Sequence, residues 1–134
     1  MSTPTPPMLP RRNGLAKFIA GFGFAFSGLW HAIRTQVNMK VHIFIAAIAI
    51  ALGIVLHISA VEFALIFVAI AGVLIAEMFN TVIELCVDLA SPSYHPLAKT
   101  AKDVAAGAVL VSAIMAIIIA LFVFGPHLWA LIHH

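Results

Sequence analysis

Three stretches of the chain are apolar along nearly their whole length, and a fourth, ahead of them, is apolar on one side only. Val41 to Ile58 is about eighteen residues of almost unbroken hydrophobic character, the length that spans a bilayer. Phe63 to about Val87 and Leu97 to Phe124 repeat that pattern, so the sequence predicts spans at 41–58, 63–87 and 97–124. Upstream, Leu15, Phe18, Phe22, Phe26, Leu29 and Ile33 recur every three or four positions, the period of one helix face. The opposite side carries Lys17, Gly21, Ser27 and Arg34, which predicts an amphipathic helix over 13–39 that lies along the membrane surface or dips under the spans.

The breaks between these stretches set the topology. The turn from His57 to Glu62 is short, which makes the first two spans antiparallel neighbours. Ser91-Pro92-Ser93-Tyr94-His95-Pro96 interrupts the apolar pattern with two prolines, the second suited to a first helical turn. Gly125-Pro126 predicts the end of the third span. Residues 1–12, rich in Pro and Thr without apolar period, read as a disordered tail, residues 13–126 as a single membrane domain, and 127–134 as a C-terminal tail. The expected fold is therefore all-α: a surface helix and three transmembrane helices.

Composition agrees. Hydrophobic residues make up 63% and charged residues 9%, and the mean hydropathy is +1.14, values of an integral membrane protein. A net charge of +2 gives no argument for nucleic acid, and the lone Cys86 excludes a disulfide framework. All seven Lys and Arg residues lie before the first span (Arg11, Arg12, Lys17, Arg34, Lys40) or in the second connection (Lys99, Lys102). The positive-inside rule then puts the N-terminus and the Pro92 loop in the cytoplasm and the C-terminus outside, in the cell (inner) membrane.

One part of the second span breaks its own composition. Glu77-Met-Phe-Asn-Thr-Val-Ile-Glu-Leu-Cys-Val-Asp88 sets three carboxylates in an apolar segment. An acidic residue at a helix centre costs roughly 2.5–3.5 kcal/mol, whereas each large apolar neighbour returns only about 0.3–0.6 kcal/mol. At about 100° per residue, Glu77, Asn80, Glu84 and Asp88 fall within roughly an 80° arc, so the polar groups form one stripe. One buried amide is enough to hold two helices together; four aligned polar groups mark a functional site. Lys102 and Asp103 open the third span on the same side. Such a cluster suits magnesium, which takes carboxylate oxygens and commonly retains substrate phosphates, and so makes a nucleoside triphosphate a natural guest. No Gly-x-x-x-x-Gly-Lys-Ser/Thr loop is present, so a phosphate site would be built differently.

The run Glu77-x-x-Asn80-Thr81-x-Ile83-Glu84-x-x-Val87-Asp88, then Tyr94-His95-Pro96-Leu97-Ala98-Lys99 and Ala101-Lys102-Asp103-x-Ala105-Ala106-Gly107, resembles the small prokaryotic diacylglycerol kinase and undecaprenol kinase family. The resemblance covers roughly Lys17 to Phe124, and His57-Ile-Ser and His95-Pro96-Leu97-Ala98-Lys99 look closer to the undecaprenol kinase branch. It implies a homotrimer that uses magnesium and ATP to phosphorylate a membrane lipid alcohol at the cytoplasmic face. It further implies Glu77 as general base, Asn80 as the group orienting it, Glu84 as a magnesium ligand, and Lys102 with Asp103 on the phosphates. Ser93, Tyr94, His95 and Phe24 match positions beside the nucleotide, and Lys17 matches one that meets phosphate or the lipid head.

Two positions depart from the family. At Gln36, two residues before Asn38, relatives usually carry a glutamate that shares the metal with the residue matching Glu84. Ser91-Pro92-Ser93 replaces a loop that is usually acidic. Two other readings stand beside the kinase: a non-catalytic relative that binds nucleotide or lipid, motivated by Gln36, and an ion or proton pathway along the stripe.

Overall fold

A computed structural model describes residues 13–133, all of whose regular elements are α-helices. They are α1 (Gly14–Thr35), α2 (Val37–Val55), α3 (Ala60–Ala90) and α4 (Pro96–Ile132). The last three are long and apolar enough to cross a membrane. Residues 1–12, with the expected tail, Arg11 and Arg12, lie outside the described residues. The helices divide into two compact units, α1 up to His31 and the chain from Ala32 onward. In the first, α1 is exposed along nearly all its length, and Phe18 and Phe22 stack edge to face one turn apart.

In the second unit α3 packs along α4 and, over less of its length, against α2. A small core of Ile58, Ile66, Val123 and Phe124 joins the three helices around the α2–α3 turn. Gly53 sits there because nothing larger fits: an added Cβ would meet Ile58 Cδ1 and Phe63 Cε1 at 2.9 Å each. The turn ends α2 by the αL device. His57 adopts φ 52°, its N–H reaches Ile54 O at 3.2 Å, and the Ile58 N–H reaches Gly53 O at 3.1 Å. Ser59 then caps α3. Its hydroxyl accepts from Glu62 N while the Glu62 carboxylate accepts from Ser59 N at 2.7 Å, a reciprocal capping box. The same carboxylate faces His127 of α4 at 3.8 Å.

Two expected boundaries differ. The surface helix was predicted to run to Met39 and the first span to start at Val41, but α1 stops at Thr35 and α2 begins at Val37, with Gln36 extended (φ −95°, ψ 120°) between them. No Pro or Gly announces the break. Gln36 N still donates to Ala32 O and Lys40 N to Gln36 O, so the backbone stays paired while Ala32 and Met39 are buried on either side. The second difference is at Gly125-Pro126, which does not end α4; the helix continues to Ile132, and the expected tail from residue 127 is mostly helical. Proline removes one donor, whereas unwinding would orphan several backbone groups in an apolar setting. The His127 ring nitrogen lies 3.1 Å from Val123 O, tying the turn across the proline.

Candidate functional site

The acidic stripe of α3 lies where α2 and α4 flank it, and its members have different surroundings. Glu77 is 1% exposed, Asn80 and Thr81 are buried, Glu84 is half-buried and Asp88 is exposed. Depth therefore falls along α3 from a carboxylate sealed among helices to one in solvent. Thr81 donates to Glu77 O one turn back, which satisfies its hydroxyl within the helix.

Glu84 is gripped from two sides. Asn80 Nδ2 donates to its Oε1 at 3.0 Å, and Gln36 Nε2 donates to its Oε2 at 3.5 Å. The break before α2 brings Gln36 there, joining positions 48 residues apart. Asn80, expected to orient Glu77, instead holds Glu84, because residues four apart on a helix lie one above the other. Among the described residues no group of three His, Cys, Asp or Glu side chains gathers at one point.

Glu77 has a different neighbour. His42 of α2 places Nε2 3.2 Å from Glu77 Oε1, yet without hydrogen-bond alignment, and that oxygen has no hydrogen-bond partner. Asn80 Oδ1 is likewise buried and unpartnered. An orphaned buried oxygen costs about 1–3 kcal/mol, so two of them on residues of one cleft mark a place shaped for something else. Both residues line a cleft of about 340 Å³ with Asn38, His42 and the α4 residues Val109 and Leu110. His42 escaped the sequence reading, although an ionisable side chain inside a predicted span was the signal that could have found it.

The residues that the resemblance puts beside a nucleotide gather elsewhere. Ser93, Tyr94, His95, Lys102 and Asp103 line one polar cleft of about 490 Å³ around the α3–α4 connection. His95 caps α4, its ring nitrogen accepting from Leu97 N, and Pro96 follows at the first position. Lys102 pairs with Asp88 across the connection, and Lys99 pairs with Asp103 one turn along α4. These ion pairs are largely exposed, so each holds its partner weakly and is open to exchange. Lys17 and Phe24 belong to the other unit, where both are exposed.

A buried carboxylate with an orphaned oxygen, a second carboxylate held by amides, and a polar cleft with two exposed lysine–aspartate pairs at the end of the same helix form a set suited to phosphoryl transfer. A family model described as prokaryotic diacylglycerol kinase matches residues 23–124. The undecaprenol kinase of Bacillus subtilis is 42% identical over 117 residues, 87% of this chain and 95% of that protein. A diacylglycerol kinase of Synechocystis is 41% identical over 102 residues, 75% of this chain and 58% of the longer relative. The diacylglycerol kinase of Escherichia coli is 28% identical over 111 residues, 83% and 91% of the two chains. With three membrane-length helices and matches across most of its length, the chain belongs to the prokaryotic diacylglycerol kinase family of membrane lipid kinases.

Proposed function

We propose that the protein transfers the γ-phosphoryl group of ATP to the hydroxyl of a membrane lipid alcohol, with Glu77 as general base and magnesium on the phosphates. The two alcohols named for its relatives, undecaprenol and diacylglycerol, are the candidate acceptors. The observation that carries this reading is the unpartnered Oε1 of a carboxylate that is 1% exposed, on the wall of a cleft. A lipid hydroxyl entering that cleft would give its proton to this oxygen as its own oxygen bonds to the γ-phosphorus. The bond from phosphorus to the β–γ bridging oxygen breaks, and its electrons leave with ADP.

An apolar cavity of about 260 Å³ supports a lipid acceptor. It is lined by Ala46, Ile66, Val73 and Ala116, and His42 borders both it and the Glu77 cleft. A molecule with a hydroxyl at one end and hydrocarbon behind it matches that sequence of surfaces. Most of the apolar surface of α2, α3 and α4 is left uncovered by this chain, which fits a bilayer and, in the reading adopted here, a homotrimer whose copies complete each site. The N-terminus and the α3–α4 connection face the cytoplasm in this arrangement, where ATP is, and the 13–126 segment works as one domain.

The donor set fits magnesium. One carboxylate (Glu84) and an amide (Gln36) 3.5 Å from it suit a cation commonly bound by one or two carboxylates plus substrate phosphates. Turning the Gln36 amide over would present its oxygen to the ion. When bound, magnesium neutralises phosphate charge. Asn80 fixes the Glu84 carboxylate for that purpose, while Lys102, released from Asp88, and Asp103 order the phosphates beside Ser93, Tyr94 and His95. Lys17 and Phe24 on α1 are proposed to meet the lipid head or phosphate and the nucleotide.

The test is transfer of labelled phosphate from ATP to undecaprenol and diacylglycerol, offered separately in lipid, with and without magnesium. Wild type is expected to label one of them, and Glu77→Gln to lose turnover while retaining its assembly state. Full activity in Glu77→Gln overturns the base. The amide at Gln36 favours one other reading, a non-catalytic relative; transfer that appears only in Gln36→Glu would support it.

A further inference from the structure

A base that works repeatedly must lose the proton it gains, and Glu77 has no route of its own. It is 1% exposed, and its helix neighbours around it are apolar or amides. Of the side chains that line its cleft from α2, α3 and α4, only His42 and Glu77 itself titrate; α4 contributes Ala106, Val109, Leu110 and Ala113. The nearest charged group along α3, Glu84, is occupied by the amides of Asn80 and Gln36. His42 is placed between two environments. Its Nε2 is 3.2 Å from Glu77 Oε1, and its side chain is 21% exposed against 2% for that of Glu77.

We propose that His42 is the proton exit of Glu77, a positioning and relay residue that resets the base after each phosphoryl transfer. The inference rests on the reading of Glu77 as the base. After the lipid hydroxyl has protonated Glu77, the O–H bond of the carboxylic acid breaks and the proton bonds to the Nε2 lone pair of neutral His42. The products are a carboxylate and an imidazolium. The imidazolium then releases a proton to water entering the cleft beside Asn38 and Asn80, and exchange through that water restores the starting tautomer. Histidine suits this step because it changes charge near neutral pH. Oε1 carries no hydrogen bond and lies 3.2 Å from Nε2, so a rotation of the His42 ring into alignment completes the contact along which the proton passes. A ring already protonated at low pH cannot accept, so the relay predicts that kcat falls on the acid side as His42 takes up its proton.

The experiment measures kcat and the KM for lipid against pH in reconstituted wild type, His42→Gln and His42→Ala, with thermal unfolding as a check on folding. His42→Gln keeps a polar side chain of similar reach but cannot relay. The expected result is a kcat lowered roughly 10–100-fold in both variants, the scale of losing a group that supports a reacting residue. The KM for lipid should change little, and the part of the acid limb that His42 adds to the wild-type kcat profile should disappear, leaving the limb set by Glu77 itself. A variant that folds and keeps both the wild-type kcat and its acid limb overturns the relay. Glu77→Gln, assayed beside them, separates the two ideas: if it is inactive while the His42 variants behave as wild type, only the relay fails, and if it is fully active both fail.

Discussion

Gln36 and Glu84, 48 positions apart in sequence, meet at 3.5 Å through an amide nitrogen and a carboxylate oxygen. A glutamine there favours the fold without needing a cation, since a donor faces the carboxylate; a glutamate would set two negative charges together with only a cation to reconcile them. Gln36→Glu is therefore expected to lower the magnesium concentration needed for half-maximal phosphate transfer. It should also lower thermal stability in the presence of a chelator, by about 1 kcal/mol, the scale of a close like-charge contact in a partly screened site. Titrating magnesium against rate and against unfolding temperature checks both effects. A variant with the wild-type magnesium requirement would show that Gln36 does not face the ion.

Asn80 separates function from stability. Its Nδ2 holds Glu84 at 3.0 Å, which favours the fold, while its Oδ1 is buried without a partner, which disfavours it by a similar amount. Asn80→Ala removes both at once. Stability is expected to stay within about 1 kcal/mol of wild type, whereas the magnesium requirement rises roughly 10–100-fold as Glu84 loses its orientation. Denaturation in micelles and a magnesium titration read the two effects independently.

The reason these residues were legible as a group, but not in their pairings, is physical. Helical period alone puts Glu77, Asn80, Glu84 and Asp88 on one face, and apolar length alone marks the three spans. Which atoms touch depends on how α2 lies against α3, and that is set by a break at Gln36 with no turn residue to announce it. The family resemblance implies Asn80 on Glu77, whereas its amide nitrogen turns to Glu84 one turn further along the same helix, and His42 falls inside an apolar span. Pro126 misled in the opposite sense: in water it would end a helix, but an apolar surrounding makes continuation the lesser cost.

The α2–α3 turn offers a stability test remote from the chemistry. At Gly53, alanine gains about 1 kcal/mol in helix propensity, but its Cβ would press on Ile58 and on the stiff Phe63 ring at 2.9 Å, an overpacking of about 1–3 kcal/mol. The strain wins, so Gly53→Ala is expected to destabilise by about 1 kcal/mol. His57→Gly should do the reverse. It removes the αL penalty at φ 52°, about 1–2 kcal/mol, against a smaller entropic cost of glycine, for a net gain of about 0.5 kcal/mol. Unfolding measured by denaturant reads both, and phosphate transfer should be unaffected by either.

Lys102 is held by Asp88 at the mouth of the polar cleft, and the exposure of both side chains makes that pair weak. Nucleotide phosphates carry more charge than Asp88 and present several acceptors, so Lys102 is expected to exchange one partner for the other when ATP binds. Lys102→Met removes a charged hydrogen bond to phosphate, about 1.5–3 kcal/mol, which corresponds to a KM for ATP raised roughly 10–100-fold. Asp88→Asn works in the other direction: it frees Lys102 from its competitor and should lower the KM for ATP by a small factor, with less gain at high salt, where the pair is already screened. Steady-state kinetics with ATP varied at low and high ionic strength distinguish these outcomes. If Lys102→Met leaves the KM for ATP unchanged, Lys102 serves only to tie α4 to the end of α3, and the nucleotide phosphates lie elsewhere.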